Sequence, residues 1–158
     1  MEQTLIQKWI SRFIAIPGSR WLGILGIKLG APYSATIHPF IIRVEPGHFE
    51  MGMKKRRAVT NHLRTVHAVA MANLVELTAS FAVQASIPKT ARWIPSGMSI
   101  QYLKKARTDL RSVCQFEPPD WHEVQDLPVE VSVFDLDDQE VATGVVQIRI
   151  GPKPNKNL

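Results

Sequence analysis

Asn61, His67, Glu76 and Ser80 fall within the stretch NHLRTVHAVAMANLVELTAS, residues 61–80, and their types could serve acid–base or nucleophilic chemistry. A carboxylate can take a proton from water or attack an electrophile, and an imidazole or carboxamide can orient a carbonyl. Around them Val66, Val69, Met71, Leu74, Val75, Leu77, Phe81 and Val83 point in nearly all directions. The pattern predicts a helix over 66–84 with hardly a solvent face. At about 100° per residue, Asn73, Ser80 and Gln84 share a narrow stripe, with Glu76 about 60° to one side. A buried carboxylate is too costly to keep ionised without a hydrogen-bond partner, a wet cleft or a raised pKa. Glu76 is therefore either a structural glutamate, satisfied by Asn61, Asn73 or a backbone amide, or a functional one.

His67 precedes Glu76 by nine residues, which places the two about 180° apart around the helix and about 13 Å apart along it. One chain cannot bring both to one reaction centre. Two such helices packed antiparallel across a two-fold axis could. The start of the helix also presents free N–H groups and the positive end of its dipole, a suitable place for a developing oxyanion. Metal chemistry is not indicated, because the five-residue step from His62 to His67 and the lone Cys114 match no common ligand spacing. In its strand context Cys114 reads as a core side chain rather than a nucleophile.

Charge is unevenly spread. Residues 1–111 hold 16 Lys and Arg against 5 Asp and Glu, whereas residues 112–158 hold 3 against 9. The basic part is concentrated in KKRR at 54–57 and KKAR at 104–107, which could attract phosphates or simply solvate strand ends.

The elements that must position these residues follow from periodicity. Residues 4–16 form an amphipathic pattern stopped by Pro17-Gly18, and Ser19 can cap a second short helix ending at Gly30-Ala31-Pro32. Strands are expected over 36–45, with Pro39 marking an edge or bulge, and over 48–59, joined by Pro46-Gly47. After the loop 61–65 and the helix, Ile87-Pro88 opens a run of strands: 93–106, interrupted by Pro-Ser-Gly, then 110–116. A hairpin of 129–136 and 140–150 follows, with a shift of phase at Thr143-Gly144. The sum is an α+β domain with a long helix on an antiparallel sheet. A single domain over 1–158 is expected, with a helical extension at 1–32 and a core at 36–150. The chain is 45% apolar and 21% charged, with one cysteine, no secretory signal and no early apolar run of membrane-spanning length. A soluble cytoplasmic protein is expected.

Asn61…His67-Ala68…Glu76…Ser80 resembles the active-site segment of hot-dog-fold acyl-CoA thioesterases of the phenylacetate-degradation and 4-hydroxybenzoyl-CoA types. Those enzymes carry Asn or Gln, then His-Gly-Gly six residues on, then Asp or Glu nine after the His. MSIQYLKKARTDL and VEVSVFDLDDQEVATGVVQIRI are similar to later strands of the same family, so the likeness covers 39–150. With NHLRTVHAVAMANL and RWIPSGM, the whole looks closest to an uncharacterised branch of that superfamily. Ala68 and Val69 replace the family's two glycines, and Arg64 stands where relatives have glycine.

The resemblance implies a hot-dog fold, a sheet wrapped around the helix 66–84, with extra N-terminal helices. It implies hydrolysis of an acyl- or aroyl-CoA thioester by a homodimer, or by a tetramer of two such dimers. The Ala68 N–H would polarise the thioester carbonyl, with His67 and Asn61 binding it or orienting neighbours. Glu76 of the partner subunit would act as base or nucleophile, and Ser80 would position water. Lys104, Lys105, Arg107, Arg56 and Arg57 would meet the phosphates of coenzyme A, which enters as part of the substrate. No separate cofactor, metal or nucleic-acid partner is implied. The alternative is a non-catalytic acyl-CoA or fatty-acyl binder on the same fold. A dehydratase fits less well, since the histidine-rich loop of that chemistry is missing.

Overall fold

The computed structural model describes residues 29–154. The helix expected over 4–16, the Ser19 cap and the end of the tail lie outside them. A 3-10 turn, Ser34–Ile37, leads through His38 into strand β1 (Pro39–Glu45). β1 pairs with β2 (His48–Met53) over Pro46-Gly47. Gly47 has φ +74, and a Cβ there would lie 2.5 Å from the Phe116 carbonyl oxygen, so this turn requires glycine. A second 3-10 turn, Arg57–Val59, and a tight loop precede helix α1 (Ala68–Ser86). Strands β3 (Ala91–Tyr102), β4 (Leu110–Gln115), β5 (Gln125–Phe134) and β6 (Glu140–Pro152) follow.

The six strands form one sheet in the order β1-β2-β4-β5-β6-β3, with every neighbouring pair antiparallel. α1 lies across one face in contact with all six strands, which is the arrangement that the family resemblance implied. Strand alternation supplies the seat: Val129, Val131 and Val133 of β5, and Ala142, Val146, Ile148 and Ile150 of β6, are all buried. Against them pack Leu74, Val75, Leu77 and Val83 of α1. α1 is long and apolar enough to cross a membrane by composition, but 61% of its most apolar window is buried in this core.

Several expectations shift. The strand expected over 48–59 ends at Met53, and residues 57–59 form the second 3-10 turn. α1 starts and ends two residues later than the 66–84 pattern, because His67 takes the capping position and Val66 is tied to Thr60 in an isolated bridge. The segment before Pro39 curls into a 3-10 turn rather than extending the first strand. β3 passes unbroken through Pro-Ser-Gly, absorbing it as a register shift between Pro95 and Gly97. No bulge occurs at Thr143-Gly144. Gly144 simply faces inward, where a Cβ would meet Val75 Cγ1 at 2.8 Å, so its small size lets the helix approach.

α1 is also less enclosed than its sequence suggests. Val69 is 55% exposed, and Ala72 and Glu76 are partly exposed, so one stripe of the helix is left uncovered by the chain's own sheet.

Candidate active site at the start of the helix

The loop 61–65 is organised by Asn61. Its Oδ1 accepts from the backbone N–H groups of Leu63 (3.0 Å) and Thr65 (3.2 Å), and its Nδ2 donates to Thr65 Oγ1 at 2.9 Å. The turn forces Arg64 into the left-handed region at φ 59, which costs a non-glycine residue about 1–2 kcal/mol. That is the physical reason glycine suits this position. The chain leaves the loop pinned on both sides: the Val66 N–H donates to the Ala106 carbonyl (2.8 Å) and the His67 N–H to that of Val59 (2.8 Å).

His67 then caps α1. Its Nδ1 accepts from the Val69 N–H at 3.1 Å, while its carbonyl accepts from Ala70 (3.0 Å) and Met71 (3.2 Å). With Nδ1 accepting, a neutral ring carries its proton on Nε2. Among the described residues the Ala68 N–H has no acceptor, and it lies at the positive end of the helix dipole. The Tyr102 hydroxyl donates to the Ala68 carbonyl at 3.1 Å, so the end of β3 is tied to the same turn.

Glu76 lies more than two turns further along, and Ser80 Oγ donates to its Oε1 at 3.2 Å. Neither Asn61 nor Asn73 reaches it. The glutamate that looked enclosed is partly exposed on the uncovered stripe, which removes the demand for full internal satisfaction.

A pocket of about 220 Å³ opens beside the helix start, walled by Tyr33, Thr36, Val59, Thr60, His67 and Asn73, among others. Glu76 and Ser80 do not line it. Larger hollows of about 310 and 560 Å³ lie around Arg92 and Trp93 at the far end of β3, away from the helix start.

The two basic runs converge next to the pocket. The Lys55 N–H donates to Asp109 Oδ1 (2.8 Å), and Lys55 Nζ donates to the carbonyl of Arg107, 52 residues away in sequence, at 2.9 Å. Arg57, Lys105 and Arg107 are exposed and form no ion pair among the described residues. Lys104 donates to Gln139 Oε1 (2.8 Å), and Arg56 turns inward to the Thr36 carbonyl, so these two have partners of their own.

Sequence reading missed that Asn73 and the 3-10 turn of residues 34–37 wall the pocket. The stripe containing Asn73 was visible, but what faced it was not. Cys114 is fully buried and burial pushes its thiol up to about 12, so it is held as a neutral core group.

The profile of a family described as a domain of unknown function, DUF4442, matches residues 20–150. Among solved structures, the structural-genomics protein APC5556 superposes with a TM-score of 0.82 at 33% identity, over 95% of this chain and 100% of that one. A thioesterase from Haemophilus influenzae, HI1161, superposes with a TM-score of 0.71 at 8% identity, over 84% of this chain and 91% of that one. The thioesterase SAV0944 from Staphylococcus aureus, in a form with one glutamine replaced by alanine, gives 0.66 at 15% identity, over 74% and 96%. The latter two likenesses show the fold. No curated protein matches the sequence.

Proposed function

The chain belongs to the DUF4442 family, an uncharacterised branch of the hot-dog-fold thioesterase superfamily, and on that premise we propose that it hydrolyses an acyl-CoA thioester. The observation that carries this reading is the Ala68 N–H, without an acceptor among the described residues, at a capped helix start whose neighbours His67 and Val69 line a pocket next to two converged basic runs. A thioester carbonyl oxygen placed there gains a donor whose strength grows as negative charge develops on it. His67 and Asn61 act through the backbone: one caps the helix and the other shapes the loop, so both hold the Ala68 N–H in place. Of the five basic residues expected to meet the phosphates of coenzyme A, Arg57, Lys105 and Arg107 are exposed and without an ion pair among the described residues, with Lys104 and Arg56 at the margins of the same surface.

The carboxylate comes from Glu76 of the partner subunit, because Glu76 of the same chain lies more than two turns along α1 from Ala68 and outside the pocket. As base it takes a proton from water. The water oxygen bonds to the carbonyl carbon, the C–S bond breaks, and the proton passes to the departing sulfur, leaving an acid and a free thiol. The Ser80 hydroxyl, already on Glu76, orients that carboxylate or its water. The Staphylococcus aureus thioesterase has also been solved with a glutamate replaced by alanine, and its two altered positions lie fifteen residues apart, the interval from Asn61 to Glu76.

One observation favours a second reading, a non-catalytic acyl-CoA binder: the 55%-exposed Val69 side chain narrows the approach where the resembling enzymes have glycine. Glu76→Gln separates the two. Hydrolysis requires kcat on a panel of acyl-CoA thioesters to fall at least about a hundredfold while binding and melting temperature are kept. A wild type without turnover that binds acyl-CoA identifies the binder, whereas a folded variant with unchanged turnover removes Glu76 from the mechanism.

A further inference from the structure

α1 holds one polar side chain deep in the fold that the chain itself does not use. Asn73 is only 9% exposed and its Oδ1 has no hydrogen-bond partner among the described residues, although it lines the pocket beside the helix start. An unsatisfied buried acceptor is a standing loss of stability, and an apolar leucine of the same branched shape would avoid it. Retention of the carboxamide is explained if a ligand completes it.

Its position says which part of a ligand. Asn73 lies five residues past Ala68, about 7.5 Å further along α1. The basic runs mark the outer end, since Arg57, Lys105 and Arg107 are exposed whereas Asn73 is buried. A thioester bound with its carbonyl at Ala68 and its phosphates at those runs therefore directs its acyl group toward Asn73. The pocket wall is mixed, with Thr36, Thr60 and His67 among apolar neighbours such as Tyr33, Ile37 and Val59, and its volume of about 220 Å³ suits a short acyl group better than a long hydrocarbon chain. A hydroxyl both donates and accepts, so it satisfies the carboxamide whichever way round the amide is turned.

Building on the thioesterase reading, we propose that Asn73 is a specificity-determining residue that selects short acyl thioesters bearing a hydroxyl a few bonds from the carbonyl.

The test compares butyryl-CoA with 3-hydroxybutyryl-CoA on the full chain, wild type and Asn73→Leu. The wild type is expected to favour the hydroxyacyl ester by at least about tenfold in kcat/KM, the value of one hydrogen bond. Asn73→Leu should abolish that preference by slowing the hydroxyacyl ester alone, with an unchanged or raised melting temperature. Equal wild-type rates overturn the proposal. So does an equal loss on both esters, which would place the amide on the coenzyme A arm, or a lowered melting temperature with preference intact, which would make Asn73 structural. If the wild type hydrolyses neither ester, the enzyme reading fails by itself, and calorimetric titration with the same two compounds decides the role of Asn73. At least tenfold tighter hydroxyacyl binding, lost in Asn73→Leu, upholds it; equal binding or none ends it.

Discussion

The Cys114 side chain is enclosed where β4 pairs with Phe49 of β2 and Val131 of β5, and its thiol is raised from 9.0 to about 12 by burial. In the unfolded chain the same thiol ionises from about pH 9. The sign follows directly: the folded state binds the proton more tightly, so this contribution is fully present below about pH 9 and is lost progressively as pH rises toward 12. The slope is up to about 1.4 kcal/mol per pH unit. Urea midpoints of the wild type should therefore fall more steeply above pH 9 than those of Cys114→Ala; parallel curves would show that the thiol is not shifted. Glu76 is the contrasting case in burial: the uncovered stripe of α1 leaves it partly exposed, with Ser80 as its donor.

At the scale of elements, α1 is held on the sheet by a buried polar latch within an otherwise apolar contact. Thr78 Oγ1 lies 2.7 Å from the Leu74 carbonyl and 2.6 Å from Ser112 Oγ of β4, which lies 3.2 Å from the Met51 carbonyl of β2, so one hydroxyl donates to the other, which passes its own proton to a carbonyl. Thr78 and Ser112 are both 0% exposed, so removing one hydroxyl leaves the other stranded one bond short where no water can replace it. Thr78→Val and Ser112→Ala are each expected to cost about 1–3 kcal/mol in urea denaturation. The double variant should cost less than the sum, because the second substitution removes a group already stranded. Strict additivity would mean that the two hydroxyls do not act together. Sequence periodicity had placed the helix and both strands, but not this latch, since nothing local marks a Thr and a Ser 34 residues apart as neighbours.

At the scale of the molecule, the two sheet edges differ. β1 is seven residues long, begins at Pro39 and carries the Arg43–Glu45 ion pair, all features that discourage further pairing. β3 is twelve residues long, with Ile94 63%, Met98 42% and Tyr102 46% exposed. Among the described residues the outer edge of β3 is unpaired and lies beside an uncovered helix stripe, and the expected assembly is a homodimer joined along β3 with the two helices antiparallel. Light scattering at micromolar concentration should give twice the chain mass; a monomer would sink the shared site. Mixed dimers provide the sharper measurement. Ala68→Pro deletes only the free N–H, because proline is tolerated at the first helical position and His67 already has the extended φ −67, ψ 139 that a following proline needs. Ala68→Pro and Glu76→Gln should each be inactive alone. Co-assembled at random they should regain about a quarter of wild-type activity, since half the dimers then contain one complete site of two. No recovery would mean that each chain supplies both groups itself.

Hydrophobic alternation and helical spacing are local properties, and the sequence by itself therefore determined the long helix, the order of strands and the intervals between Asn61, His67 and Glu76. It also exposed Pro39 as an edge residue and Cys114 as a core one. Tertiary structure alone decided how the polar groups were used. Asn61 and His67 have their acceptor atoms taken up by backbone N–H groups, and only the folded loop and cap reveal that the Ala68 N–H is the donor left over. Lys55 joins two basic runs through Arg107 and Asp109, a meeting produced by the sheet order rather than by either run. Gly144 looked like a bulge in a pattern of alternating valines, whereas packing against Val75 makes it a gap for the helix. Asn73 looked like one more polar residue on a stripe until the 3-10 turn of residues 34–37 closed a pocket over it. Periodicity encodes which face of an element is buried, but which groups meet across the core is set by packing between residues far apart in the chain.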